Sequence, residues 1–379
     1  MQSASYYRGK EQTYLKHFFF EKYLETLAFH IGFAYKEFVY VDCFSGPWRA
    51  NDEQLADTSI RISLDRLNYV LQGLAAQQRH PTIRAIFVEK DPAAFAALTQ
   101  ALNDHSGAIK TKAFLGTFEE NIPQILQEVG TAFAFFFIDP KGWKGFAMDN
   151  IQPILRHHPG EVMVNFMYDF INRFLTVRGK ANEDSLDRFF GTPRWRDISD
   201  TPDREEASVK LYEEQLRATG GFTYVTGTRI LKPTDNRTYF HLIYGTRNPK
   251  GIIEFRNVER KATLAQDDVR DDAKRERREQ RTGQGELSFA PPDTLAAATQ
   301  THREFQLKKA AERLDTILQQ GPIRYETLQP LILELRLVWY TDLNKLLLEG
   351  QKNGILVIEG LRPQQRTPSH GCTIRLITP

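Results

Sequence analysis

Residues 38–48 read Phe38-Val39-Tyr40-Val41-Asp42-Cys43-Phe44-Ser45-Gly46-Pro47-Trp48. An apolar run closes on an acid and then drops into a tight turn with Gly46 and Pro47. The run predicts a buried strand, and the turn falls where an open α/β sheet places its ligand. Two later stretches repeat the pattern: Ala85-Ile86-Phe87-Val88-Glu89-Lys90-Asp91 and Phe135-Phe136-Phe137-Ile138-Asp139-Pro140. Three strands ending in this way would set Asp42, Glu89 and Asp139 along one edge of one sheet. Such an edge suits a nucleoside cofactor with hydroxyls and an exocyclic amine.

Working outward, strands are expected near 38–42, 85–89, 111–115, 133–138, 161–166, 222–231 and 238–246. Helices are expected over 11–31, 59–78, 93–103, 118–127, 149–155 and 205–219. This alternation predicts a doubly wound, mostly parallel α/β sheet. The polar stretch Lys232-Pro233-Thr234-Asp235-Asn236-Arg237 suits a hairpin, so the last two strands should pair antiparallel. The expected organisation is an α/β domain over 1–265, a charged and Pro/Gly-containing linker over 266–300, and a second domain over 301–379. Gln266–Arg281 holds six acids and six bases, and Gly283, Gly285, Pro291 and Pro292 follow. That segment reads as a solvated linker with a helical or disordered lead-in. The alternative is a nucleic-acid contact from Lys274, Arg275, Arg277 and Arg278.

In the C-terminal unit, helices at 305–319, 325–333 and 341–353 precede short strands at 355–359 and 372–377. Three helices and a β-hairpin with a basic tip form the winged-helix pattern, whose third helix is the groove reader. Lys345, Lys352 and Arg366 are the candidate nucleic-acid contacts there; the alternative is protein docking.

Composition narrows the class. The 379 residues are 41% hydrophobic and 26% charged, with a formal net charge of +2. This describes a soluble globular chain whose overall charge does not commit it to nucleic acid. Cys43 and Cys372 are the only cysteines, too few for a disulfide framework or an unaided zinc site, as expected in a reducing cytoplasm. Met1–Lys16 lacks an apolar signal core, and no segment approaches the roughly 20 apolar residues of a membrane span. His157-His158 has no metal-ligand partners at suitable spacing, and no metal is expected.

Each strand end suggests a role. Asp42, Phe44 and Gly46 form the first strand-to-helix turn, where backbone N–H groups can hold a cofactor's amino-acid tail. The dinucleotide fingerprint Gly-x-Gly-x-x-Gly is absent. Glu89 can accept two hydrogen bonds from a ribose diol; the alternative is an ion pair with Lys90 or Arg84. Thr117 and Phe118 could supply the polar edge and apolar face for an adenine. In Asp139-Pro140-Lys141-Gly142-Trp143, Asp139 would accept N–H bonds from an amine, Pro140 would stiffen the loop, and Trp143 would stack on a base. Asn165, Asp169, Asn172 and Arg173 would form a substrate wall, although Asp169 and Arg173 at i,i+4 could simply pair.

These strand ends resemble motifs of class I S-adenosylmethionine-dependent methyltransferases: Asp42-x-Phe44-x-Gly46 the first cofactor motif, Glu89 the ribose acid, Asp139-Pro140 the catalytic loop. More closely, the chain resembles the three-Cys-motif partner (TcmP) family over about residues 10–260. The likeness runs from the Lys16–Leu27 helix through Val88-Glu89-Lys90-Asp91 and Asn165-Phe166-Met167-Tyr168-Asp169 to Thr246-Arg247-Asn248-Pro249-Lys250-Gly251. It implies a Rossmann-like methyltransferase sheet, S-adenosylmethionine as cofactor, and a separate radical-SAM-like partner that carries three cysteines. Trp48 departs from the usual glycine of the first motif and would crowd the cofactor's methionine end. Thr117 stands where an acid or amide is common. Lys141-Gly142-Trp143 is similar to the Asp-Pro-Phe-Gly loop of tRNA guanine-N2 methyltransferases. The resemblance therefore implies methylation of a nucleic-acid base amine, RNA before DNA. The alternative it leaves is a non-catalytic or cofactor-sensing subunit that docks the three-cysteine protein and binds nucleic acid, in a phage-defence setting.

Overall fold

The computed structural model describes residues 4–7, 9–46, 58–198, 201–233, 235–282, 295–362 and 364–377. Pro47, Trp48, Gly283, Gly285, Pro291, Pro292 and Pro363 lie outside them, and so does the expected crowding by Trp48.

A short 3-10 turn over Ala4–Tyr7 leads into α1 (Glu11–Ala34) and β1 (Glu37–Asp42). There follow α2 (Ser59–Ala75), β2 (Thr82–Glu89), α3 (Pro92–Asn103), β3 (Lys110–Leu115), α4 (Phe118–Val129), β4 (Phe133–Ile138), α5 (Met148–Leu155) and β5 (Gly160–Phe166). After β5 come the single-turn α6 (Tyr168–Asn172), α7 (Lys180–Phe190), a 3-10 turn over Pro193–Ile198, and α8 (Arg204–Gly220). The hairpin β6 (Tyr224–Leu231) and β7 (Thr238–Thr246) completes a seven-stranded sheet ordered β3-β2-β1-β4-β5-β7-β6. β3 to β5 are parallel, and β7 is antiparallel to both β5 and β6. The doubly wound sheet with its antiparallel last pair is the one the sequence predicts.

Alternation explains why the strands read as continuous apolar runs. Phe38, Tyr40, Phe133, Phe135 and Phe137 face a core made with α1, α2 and α3. Val39, Val41, Ala134, Phe136 and Ile138 face a second core made with α4, α5, α7 and α8. A parallel sheet covered on both faces needs apolar side chains at every position, and each large one contributes about 1.5–3 kcal/mol by leaving water. Local capping fixes the strand-to-helix turns. Asp91 accepts from Ala94 N–H at 2.8 Å with Pro92 in the first turn, and Thr117 forms a capping box with Glu120.

The expected linker begins as ordered helix. α9 (Pro249–Thr282) is 34 residues long and runs through the charged stretch. Over that stretch its buried contacts are largely polar: Gln266 accepts from Leu231 N–H at 2.9 Å, and Arg270 donates to Lys232 O at 3.0 Å and Asp235 O at 2.7 Å. Asp267 accepts from Ala296 N–H at 2.8 Å and Thr299 Oγ at 2.9 Å. Lys274 and Arg275 pair with Asp271 and Asp272 on their own helix.

Beyond lie α10 (Ala297–Leu318), β8 (Ile323–Arg324), α11 (Tyr325–Leu333), α12 (Tyr340–Lys352), β9 (Leu356–Glu359) and β10 (Thr373–Leu376). The last three strands form an antiparallel sheet ordered β8-β10-β9. This unit shares the sheet's core: Ala310, Leu314, Leu328 and Ile332 belong to the same apolar cluster as Tyr244 and Phe255. A buried ion network reinforces the joint. Arg256 donates to Leu333 O at 2.7 Å, Gly227 O at 3.1 Å and Glu259 at 2.7 Å, while Glu259 accepts from Leu337 N–H at 3.2 Å.

Candidate active site at the sheet edge

Strand order reverses between β1 and β4, the switch point where open α/β sheets bind ligands. Asp42 is in register with Phe87 of β2 and Phe137 of β4. Glu89 and Asp139 each follow those partners by two residues, so the three carboxylates share one edge.

They are not equivalent. Asp42 is fully buried. Its oxygens take hydrogen bonds from Phe44 N–H at 3.2 Å, Ser59 Oγ at 3.0 Å and Tyr40 Oη at 3.3 Å. Burial first, and the Asp139 charge second, push it up to about 7. Its side chain therefore braces the turn whose backbone N–H groups are the expected cofactor contact. Ser45 N–H donates to Val88 O at 2.9 Å, Val88 N–H donates back to Ser45 Oγ at 3.1 Å, and Gly46 adopts φ +68°. Glycine takes that conformation without the Cβ clash that penalises other residues.

Glu89 has one oxygen committed, to Asp91 N–H at 2.7 Å. Its other oxygen has no hydrogen-bond partner among the described residues. The alternative ion pair with Arg84 is not formed, because Arg84 is held by Glu37 and Glu128. Thr117 and Phe118 are placed otherwise than expected. The Thr117 hydroxyl accepts from Glu120 N–H at 3.3 Å and is spent on the helix cap. Phe118 is buried with its ring 5.5 Å from that of the half-buried Phe44, so it is core beneath the edge rather than an open adenine face.

Asp139 is held from two sides. Lys16 Nζ donates to Oδ2 at 2.5 Å and Asn165 Nδ2 to Oδ1 at 2.6 Å. Lys16 comes from α1 and Asn165 from β5, so two layers fix one carboxylate. The neighbouring His17 is buried against Tyr7 Oη at 3.2 Å. Burial and the Lys16 charge hold its imidazole down to about 3, with Asp139 opposing them. Sequence reasoning missed Lys16; its signal was a Lys-His pair interrupting the aromatic run Tyr14 to Phe20. Replacing Lys16 with Met should leave Asp139 loosely oriented. Any turnover in which that carboxylate takes part should then fall by up to about 10²-fold, the scale of a misplacement near 1 Å, read in a steady-state assay.

Pro140 is buried behind Asp139. Trp143 is buried too: its Nε1 donates to Ser185 Oγ at 2.9 Å and its ring packs 5.2 Å from Phe170 and 4.4 Å from Phe174. It cannot be an open stacking plate, which corrects that expectation. Asp169 pairs with Arg173 at 2.7 Å and with Lys232 at 2.6 Å, so the simple-pairing alternative holds and Lys232 joins it. Asn172 Oδ1 is buried with no donor among the described residues.

The C-terminal candidates lie on a different surface. Lys345 and Lys352 line a groove with Tyr340, Thr341, Leu348 and Thr367, while Arg366 is exposed on the neighbouring loop. Lys345 lies 3.8 Å from Glu349. Among the described residues no cluster of His, Cys, Asp or Glu could hold a metal, and no helix is long and apolar enough to cross a membrane.

No protein-family model matches the chain, and no curated protein matches it. Among solved structures, cofactor-bound Rv0187 from MTB is 14% identical, aligned over 60% of this chain and 79% of that one at TM-score 0.33. LPL1258 from Legionella pneumophila, of family DUF519, is 12% identical over 65% and 91% at TM-score 0.40. The O-methyltransferase TomG from Streptomyces achromogenes, in complex with SAM, is 15% identical over 60% and 79% at TM-score 0.33. Likeness at this distance assigns no function.

Proposed function

We propose that the chain is an S-adenosylmethionine-dependent methyltransferase acting on an exocyclic amine of a nucleic-acid base. The observation that carries this reading is Glu89: a carboxylate beside the switch point, with one oxygen tied to the backbone and the other without a partner among the described residues. That oxygen suits the hydroxyls of a ribose. Gly46 and Gly116, at φ +68° and +123°, keep the flanking turns free of side chains. When bound, the cofactor supplies an electrophilic methyl group. Asp139 lies further along the same edge. Two of its four lone-pair sites are filled, which leaves room to accept an amine N–H. Lys16 and Asn165 keep it oriented without help from substrate. The C-terminal unit, with the helix order and three-stranded sheet of a winged helix, would contact nucleic acid through Lys345, Lys352 and Arg366. The resemblance to the TcmP family adds a three-cysteine partner, so activity is best assayed with and without one.

Isothermal calorimetry tests the reading. The wild-type chain should bind S-adenosylmethionine, and Glu89→Ala should weaken binding by about 1.5–3 kcal/mol, the scale of a charge-assisted hydrogen bond. No binding at millimolar cofactor, with the partner supplied, would overturn it. Binding without transfer to any cellular RNA or DNA would make the chain a cofactor-sensing subunit.

A further inference from the structure

We propose that the rim beside the Asp139 loop holds single-stranded nucleic acid, with Phe170 as the plate on which one unstacked base rests. This deepens the methyltransferase reading and rests on it. Phe170 is 39% exposed. Its ring lies over the buried Trp143 at 5.2 Å, and a Cβ at Gly142 would come within 3.3 Å of it. Only a glycine lets the catalytic loop pass under this ring without displacing it, and Gly142 adopts φ +120°. A large aromatic side chain is thus held in place from below and left open above, beside the loop that follows Asp139.

The two segments that carry it are mostly basic. Residues 141–146 and 168–180, the two segments that meet at Phe170, hold five cations and one acid. Lys141, Lys144, Arg173, Arg178 and Lys180 are all exposed. The acid, Asp169, is already neutralised by Arg173 and Lys232. A chain whose formal net charge is only +2 therefore concentrates positive charge on the lip of its candidate active site. Cations that track a phosphate backbone, interleaved with an aromatic plate, are the chemistry of single-stranded nucleic-acid binding. A base within a duplex has no free face to offer such a plate. The arrangement also supplies the stacking surface that the buried Trp143 cannot.

The test is fluorescence anisotropy of a short labelled mixed-sequence RNA with the full chain, between about 50 and 200 mM salt. Phe170→Leu keeps the packing on Trp143 and removes the aromatic face; affinity should fall by roughly 5- to 100-fold. Phe170→Tyr should bind as wild type. The double variant Lys141→Gln/Lys144→Gln should reduce the slope of log affinity against log salt by about 1.4, at about 0.7 per phosphate contact on a single strand. Calorimetry with S-adenosylmethionine runs in parallel and should be unchanged in every variant. If the chain binds the cofactor and the Phe170→Leu and lysine variants bind RNA as wild type does, the rim proposal alone is overturned. If these variants lose RNA as expected while no form binds the cofactor, the rim stands and the methyltransferase reading falls.

Discussion

Asp139→Asn should lower methyl transfer by roughly 10²–10³-fold and leave S-adenosylmethionine affinity within a few-fold of wild type. The carboxylate touches no part of the edge assigned to the ribose. In the proposed reaction its work comes as the amine nitrogen gains positive charge, and that charge exists chiefly in the transition state. Losing one preorganised electrostatic contact of this kind has the magnitude given. The amide keeps the shape, and its oxygen can still accept from Asn165, but it presents an uncharged partner to Lys16. A tritiated-methyl assay on total cellular RNA and DNA, with and without the proposed three-cysteine partner, reads the change in turnover; calorimetry reads the cofactor. Full activity in Asp139→Asn would remove Asp139 from the chemistry.

The largest stability effect should come from far outside the site. Arg256→Met is expected to destabilise the fold by about 3–5 kcal/mol, the range for breaking a buried pair from one side. Arg256 and Glu259 are both buried. Without the guanidinium, the Glu259 carboxylate keeps only its neutral donors, such as Leu337 N–H, and the carbonyls of Gly227 and Leu333 lose theirs. The double replacement Arg256→Met/Glu259→Gln should recover part of the loss, since it leaves no uncompensated charge. Urea denaturation followed by far-ultraviolet circular dichroism measures both. A midpoint unchanged in Arg256→Met would show that the joint is held by apolar contact alone.

The parts legible in the sequence share a physical cause. A doubly covered parallel strand must be apolar at every position, so Phe38–Val41 and Phe133–Ile138 stand out against any background. The acid that ends each run marks the carboxyl edge of the sheet. What the sequence hid was direction and partnership. Asp42 and Glu89 end similar runs, yet three protein donors surround one and a single donor the other. Trp143 and Phe170 are both large aromatics beside the catalytic loop, and only packing decides which one faces water. The second half of α9 was unreadable for a different reason. Its buried side is built from Gln266, Asp267 and Arg270, which hydrogen-bond to loop and strand backbone, so hydrophobic periodicity passes over it. Lys16 lies 123 residues from Asp139, a separation that local patterning cannot bridge.

The shared core and the Arg256 network join the C-terminal unit to the sheet as one body. A docking element on a flexible tether lets its enzyme search many positions along a bound strand. If the C-terminal unit grips nucleic acid as proposed, a welded one acts as a ruler: the span from the groove at Lys345 and Lys352 to the carboxylate at Asp139 is a constant of the molecule. Substrates would then be sorted by spacing as much as by sequence, with the modified nucleotide at a fixed number of steps from the gripped one.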